Sequence, residues 1–190
     1  MGEEEILLDY VINNLDRYHF GILLTLYTGL RIGELCALQW QDISDTSVKV
    51  SKTLQRLSTK PGKTQLVVGE PKSMNSYREI PIPDCLQPYI SKFRQEDGFL
   101  LQTKSGKPTE PRTLQAKFSH IVDVCNLPGV TFHTLRHTFA TRCVEAGFDL
   151  KSLSEILGHR DVKTTMNLYV HPSFQFKKEN MEKLAHPLLG

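Results

Sequence analysis

No stretch of this 190-residue chain approaches the about 20 apolar residues needed to cross a bilayer. The longest apolar passage, residues 20–27, is interrupted by Gly21 and Thr25. The N-terminus carries Glu3, Glu4 and Glu5, whereas a signal peptide starts with positive charge, so a cytoplasmic location is expected. Cysteine is scarce. Cys36, Cys85, Cys125 and Cys143 form no Cys-x-x-Cys pair, which argues against a zinc ribbon or redox motif and leaves them as reduced, mostly small core residues. No Gly-x-x-x-x-Gly-Lys-Ser/Thr string is present, so ATP is not expected as a cofactor. His133 and His137 stand four apart like a zinc pair, yet position 134 is Thr where a His-Glu-x-x-His metalloprotease has Glu. No metal is expected. A net charge of +2 is far below that of a dedicated nucleic-acid-binding module.

The charge that is there is unevenly placed. Residues 1–16 carry Glu3, Glu4, Glu5, Asp9 and Asp16 with no Lys or Arg, while residues 49–63 carry Lys49, Lys52, Arg56, Lys60 and Lys63 with no acid. A chain near neutrality can still turn one basic face to phosphates. A solvated strand and loop accounts for the same run equally well. With 39% hydrophobic and 23% charged residues, the chain reads as a globular domain of one unit, 1–190.

Apolar spacing predicts two helices within residues 3–28 and a stop at Gly29, then a short helix over residues 32–38. Arg31 therefore sits at a tight helix–helix junction. From Ser47 the period drops to two: Val48, Val50 and Thr53 interleave with Lys49, Ser51 and Lys52. Pro61-Gly62 marks a turn, residues 65–68 a second strand, and residues 79–82 a third that Pro81 and Pro83 confine to an edge. Helices return over residues 84–93, 112–125, 133–146, 150–157 and 162–168, with a last one in 173–184. Mainly α with a small antiparallel β-sheet, an α+β domain, is the expected class.

Three passages concentrate unusual polar residues at element ends: "TGLRIGEL" from Thr28, "HTLRHTFAT" from His133, and "LGH" ending at His159 followed by Tyr169. Functional groups commonly gather in such places. Taken singly, each has a plainer explanation. Arg31 can be a structural ion-pair partner of Glu34, three residues on. His133 and Arg136 share a helix face because they are three apart, His159 can be a satisfied loop histidine, and Tyr169 a core tyrosine with its hydroxyl paired.

Jointly, these strings resemble the tyrosine recombinase (phage integrase) family over most of the chain, from Tyr10 to Met181. Pro71-Lys72-Ser73, Ser76, Arg78 and Ile80-Pro81-Ile82 resemble the family's sheet turn that presents a catalytic lysine, with Lys52, Lys60 and Lys63 as rivals for that role. The resemblance implies the DNA breaking–rejoining catalytic fold and a set of roles. Arg31 and Arg136 would aim planar guanidinium forks at the non-bridging phosphate oxygens, and His159 would add another donor. Tyr169 would be the nucleophile; its phenol, with an ordinary pKa of about 10, needs help losing its proton. His133 would be the base or position it, Lys72 would protonate the leaving 5′ oxygen, and Glu34 would hold Arg31. A 3′-phosphotyrosyl link would form without metal or ATP.

The resemblance further implies double-stranded DNA as partner and a homotetramer on paired sites, the isolated domain being a monomer. Lys49, Lys52, Arg56, Lys60 and Lys63 are the candidate DNA contacts. Further N-terminal DNA-binding domains are expected in the full-length protein, which makes this chain a fragment. The tail, 173–190, with Phe174, Phe176 and Met181, would dock on a neighbouring protomer or on its own domain. Integration or excision of a bacterial mobile element, phage or conjugative transposon, is the expected task. The alternatives are a chromosome-dimer-resolving recombinase and a type IB-like topoisomerase. The DNA target sequence is not legible.

Overall fold

The computed structural model describes residues 2–60, 63–70, 77–159 and 161–166, together with Phe174, Lys178, Met181 and Glu182. It is an α+β domain in which helices outnumber strands. In chain order the elements are α1 (Glu3–Asn13), α2 (Arg17–Thr28), α3 (Ile32–Ala37), β1 (Ser47–Val50), β2 (Thr53–Lys60), β3 (Lys63–Gly69), β4 (Arg78–Pro81), α4 (Gln87–Phe93), α5 (Pro111–Val124), α6 (Phe132–Glu145), α7 (Leu150–Leu157) and α8 (Val162–Met166).

The central element is α2. Asp16 caps it by accepting from the backbone N–H groups of Tyr18 and His19 at 2.8 Å each, and Gly29 ends it in the left-handed region at φ 64°. Its residues from Phe20 to Leu26 are all buried, as a helix surrounded by protein requires. Phe20 lies between Trp40 and Phe93, with ring centroids 6.3 and 5.4 Å away. Helix α6 packs against α2. Arg142 on α6 reaches Glu4 of α1 at 2.7 Å while covering the Tyr27 ring, which ties three helices together. Cys36 and Cys143 are core residues, and burial pushes their thiols up to about 12 and about 11; Cys85 is exposed instead.

The strands differ from the expectation of one continuous first strand. The alternation that begins at Ser47 breaks at Ser51-Lys52, and the two halves find different partners. β1 pairs antiparallel with β4, from Ser47 opposite Pro81 to Val50 opposite Arg78. β2 pairs antiparallel with β3, from Thr53 opposite Gly69. Lys52 turns away at the break, its ammonium donating to Gln39 Oε1 at 2.6 Å. The helix expected over residues 84–93 opens with a 3-10 turn, Asp84–Leu86, before α4. No helix among the described residues is long and apolar enough to cross a membrane.

Candidate active site

Three arginines from distant parts of the chain converge on the C-terminal end of α7. The last carbonyls of a helix have no intrahelical donor, and the negative end of the helix dipole favours cations. Here Arg78 Nε donates to the Ile156 carbonyl at 2.6 Å, Arg136 Nη2 to Leu157 at 2.6 Å, and Arg31 Nη2 to Gly158 at 3.2 Å. Successive carbonyls thus receive different guanidinium groups.

Each arginine arrives for a local reason. Gly29 turns the chain after α2, so Arg31 becomes the residue that opens α3; its backbone N–H donates to Glu34 Oε2 at 2.9 Å and its Nη1 to Oε1 at 2.8 Å. Arg136 is buried because it lies on the inward face of α6, beside Leu135, and its Nη1 donates to the Gly29 carbonyl at 2.6 Å. Arg78 shares the inward face of β4 with Ile80 through the two-residue period of a strand.

Glu34 is the carboxylate at the centre, accepting from both Arg31 and Arg78. Burial pushes its carboxyl up, but the Arg78 hydrogen bonds and charge, with those of Arg31, outweigh that and hold it below its ordinary value. Burial, with the nearby Arg31 and Arg78 charges, pulls the Arg136 guanidinium down to about 9, which still leaves it charged at neutral pH. Three guanidinium groups therefore face one carboxylate, and the surplus of positive charge suits an anion.

His159 follows Gly158, whose left-handed φ of 61° closes α7 and swings the ring back over the arginines. Its Nδ1 lies 2.9 Å from Thr165 Oγ1. Burial, then the charges of Arg136, Arg31 and Arg78, lower its pKa to about 4, so the ring is neutral at pH 7. An open cleft of about 810 Å³ between β4 and α7 reaches Arg78 and His159 from solvent, passing Tyr77, Lys151 and Glu155.

His133 is exposed in the first turn of α6, one turn before Arg136, and His137 is exposed one turn after His133. Among the described residues no group of three or more His, Cys, Asp and Glu is placed to hold a metal. Lys72 and Tyr169 lie outside the described residues, as do Phe176 and the side chain of Lys60. Phe174 and Met181 are exposed. Of the basic run, Lys49 projects outward from β1 and Lys63 is exposed on β3. Lys52 bonds Gln39 and stands 3.8 Å from Asp42, and Arg56 pairs with Glu110 at 2.7 Å.

Two residues of the site escaped the sequence reading as site residues. Arg78 had a signal: it stands two before Ile80 and four before Ile82, both buried, so strand alternation points it inward. Thr165 had none, since its neighbours Thr164 and Met166 are exposed and α8 is too short to display a period.

Among known proteins, the tyrosine recombinase XerC-like protein of Caldanaerobacter subterraneus subsp. tengcongensis is 31% identical, over 85% of this chain and 47% of that protein. The integrase of Staphylococcus phage L54a is 30% identical, over 83% and 48%. This chain thus spans about half the length of these relatives. The Tn1549 transposon integrase, solved in complex with transposon right-end DNA, superposes with a TM-score of 0.78 at 29% identity, covering 96% of this chain and 64% of that one. XerA recombinase, at 22% identity and a TM-score of 0.68, shares the fold. Residues 3–175 match the Phage integrase family, and the chain belongs to that family, the tyrosine recombinases.

Proposed function

We propose that this domain cuts and rejoins double-stranded DNA at specific sites through a covalent link to Tyr169. The observation that carries the reading is the set of three guanidinium groups held on successive α7 carbonyls beside a neutral His159. A phosphodiester gathers charge on its non-bridging oxygens as phosphorus becomes five-coordinate. Prepositioned cations and donors stabilise that charge without reorganising. Arg31, partly exposed at 40%, and Arg136 supply the cationic edge, and His159 a neutral donor.

The Tyr169 oxygen attacks phosphorus in line, forming the 3′-phosphotyrosyl bond as the bond to the 5′ oxygen breaks. His133 takes or guides the phenolic proton, and Lys72 protonates the leaving oxygen. One phosphodiester replaces another, so a second 5′ hydroxyl can reverse the step. Lys49, Lys52, Arg56, Lys60 and Lys63 would meet the DNA backbone; exposed Lys49 is better placed than Lys52 and Arg56, which already have carboxylate neighbours. Two DNA sites carry four strands to cut, so the full-length protein works as a homotetramer, and the tail docks within it. Movement of a bacterial mobile element in the cytoplasm is the task that the likeness to phage and transposon integrases supports.

The test is a nicked DNA substrate that traps the cut. The chain should yield a slow protein–DNA band on a denaturing gel, and Tyr169→Phe should abolish it. A band that survives the Phe substitution would reject Tyr169 as nucleophile. Binding of intact DNA by this chain alone should be weak and fall steeply with salt.

A further inference from the structure

Thr165 is completely buried on α8, and its hydroxyl is 2.9 Å from His159 Nδ1. A hydroxyl can donate or accept, and a neutral imidazole carries its proton on one nitrogen only. Those two facts leave two arrangements. In one, Nδ1–H donates to Oγ1, and the hydroxyl proton must find another acceptor. Among the described residues His159 is the hydrogen-bond partner of this hydroxyl, so its proton would stay buried and unpaired. In the other, the hydroxyl donates to the Nδ1 lone pair, and both groups are satisfied.

We propose that Thr165 is a positioning residue that locks His159 in the tautomer with its proton on Nε2. The inference rests on the anion-holding reading of the site and deepens it, by assigning His159 a direction of hydrogen bonding. A ring protonated at Nε2 presents a donor there, suited to a phosphate oxygen. It offers no lone pair at Nε2 to take a proton from the nucleophile, so that duty falls elsewhere. The neighbouring arginines favour the neutral ring that makes a tautomer choice meaningful, because each would repel an imidazolium. The spacing is part of the device: Gly158 ends α7 in the left-handed region, and the chain returns through α8 to bring Thr165, six residues after His159, within hydrogen-bond distance of Nδ1.

Nitrogen NMR on the chain labelled with ¹⁵N-histidine reads the tautomer directly, without DNA. Nε2 of His159 should show the protonated, pyrrole-type shift and Nδ1 the pyridine-type shift. In Thr165→Val that pattern should give way to mixed tautomers, and trapping of nicked DNA should slow at least about tenfold. Thr165→Ser should restore both, which a packing role for the threonine methyl would not. A proton found on Nδ1 in the unsubstituted chain overturns the proposal, and so does a Val variant with unchanged tautomer and trapping rate. If the Val variant does not fold, the unsubstituted and Ser spectra still decide. An unsubstituted chain with the expected spectrum but no covalent adduct would leave the tautomer assignment standing and remove the DNA-cutting reading.

Discussion

Arg78 grips Glu34 through two hydrogen bonds, Nη1 to Oε1 at 3.0 Å and Nη2 to Oε2 at 2.8 Å, with the side chains 5% and 4% exposed. A buried ion pair is not a large net source of stability, but removing one member strands the other. Arg78→Ala should therefore lower unfolding stability by about 3–5 kcal/mol, read as a shifted urea midpoint with little change in slope. The acid limb should move too. A carboxyl held below its ordinary 4.5 contributes stability that is fully present above that value and lost as pH falls through the lowered one. Without Arg78 the Glu34 carboxyl titrates higher, so acid unfolding should begin at higher pH. Identical acid limbs in the two proteins would contradict the pairing.

Arg136 spans two backbone carbonyls, Gly29 and Leu157, at 2.6 Å each. Lysine keeps the charge but has no rigid fork to bridge them. Arg136→Lys should cost about 1.5–3 kcal/mol in stability for the lost charged hydrogen bond. Covalent trapping of nicked DNA should fall about 10²-fold or more. Trapping within a few-fold of the unsubstituted rate would show that charge alone suffices there.

His159 should resist protonation. Its pKa stands at about 4 against an ordinary 6.5, because of burial and then the charges of Arg136, Arg31 and Arg78. Between those two values the unfolded chain binds a proton that the folded chain refuses, so this residue makes stability decline as pH drops through that window. Its NMR titration midpoint should lie near 4 in the free protein and rise when a DNA phosphate adds negative charge. A free-protein midpoint above 6 would mean that the ring does not face the arginines.

Gly29 has φ of 64°, and a Cβ there would come within 2.5 Å of Phe139 Cδ1. Gly29→Ala meets both a left-handed backbone cost of about 1–2 kcal/mol and that clash. Its melting temperature should fall by at least about 2–4 °C. Adding Phe139→Ala relieves the clash but not the backbone cost, so the pair should be less than additive. Strict additivity would remove Phe139 from the explanation.

Much of the helical frame was legible because its punctuation is chemical. Gly29 ends α2 and Gly158 ends α7 through left-handed turns that glycine favours, at the ends the spacing predicts; the Asp16 and Asp149 caps at their starts went unread. The split between β1 and β2 was passed over, since Ser51-Lys52 interrupts the alternation by only one residue while the backbone changes partner. Arg31, Glu34, Arg136 and His159 stood out in the motifs, and the structure brings them together. What anchors the arginines did not stand out, because the acceptors are the carbonyls of Ile156, Leu157 and Gly158, and a carbonyl has no letter in a sequence. Lys72 and Tyr169 rest on the family resemblance.

The three arginines come from a helix junction, a strand and a helix that lie 127, 78 and 21 residues from their carbonyl acceptors. Glu34 gathers Arg31 and Arg78, and Gly29 holds Arg136, but only the carbonyls at the end of α7 set all three guanidinium groups side by side. The spacing of the three forks is therefore a property of the whole fold, and no single element carries it.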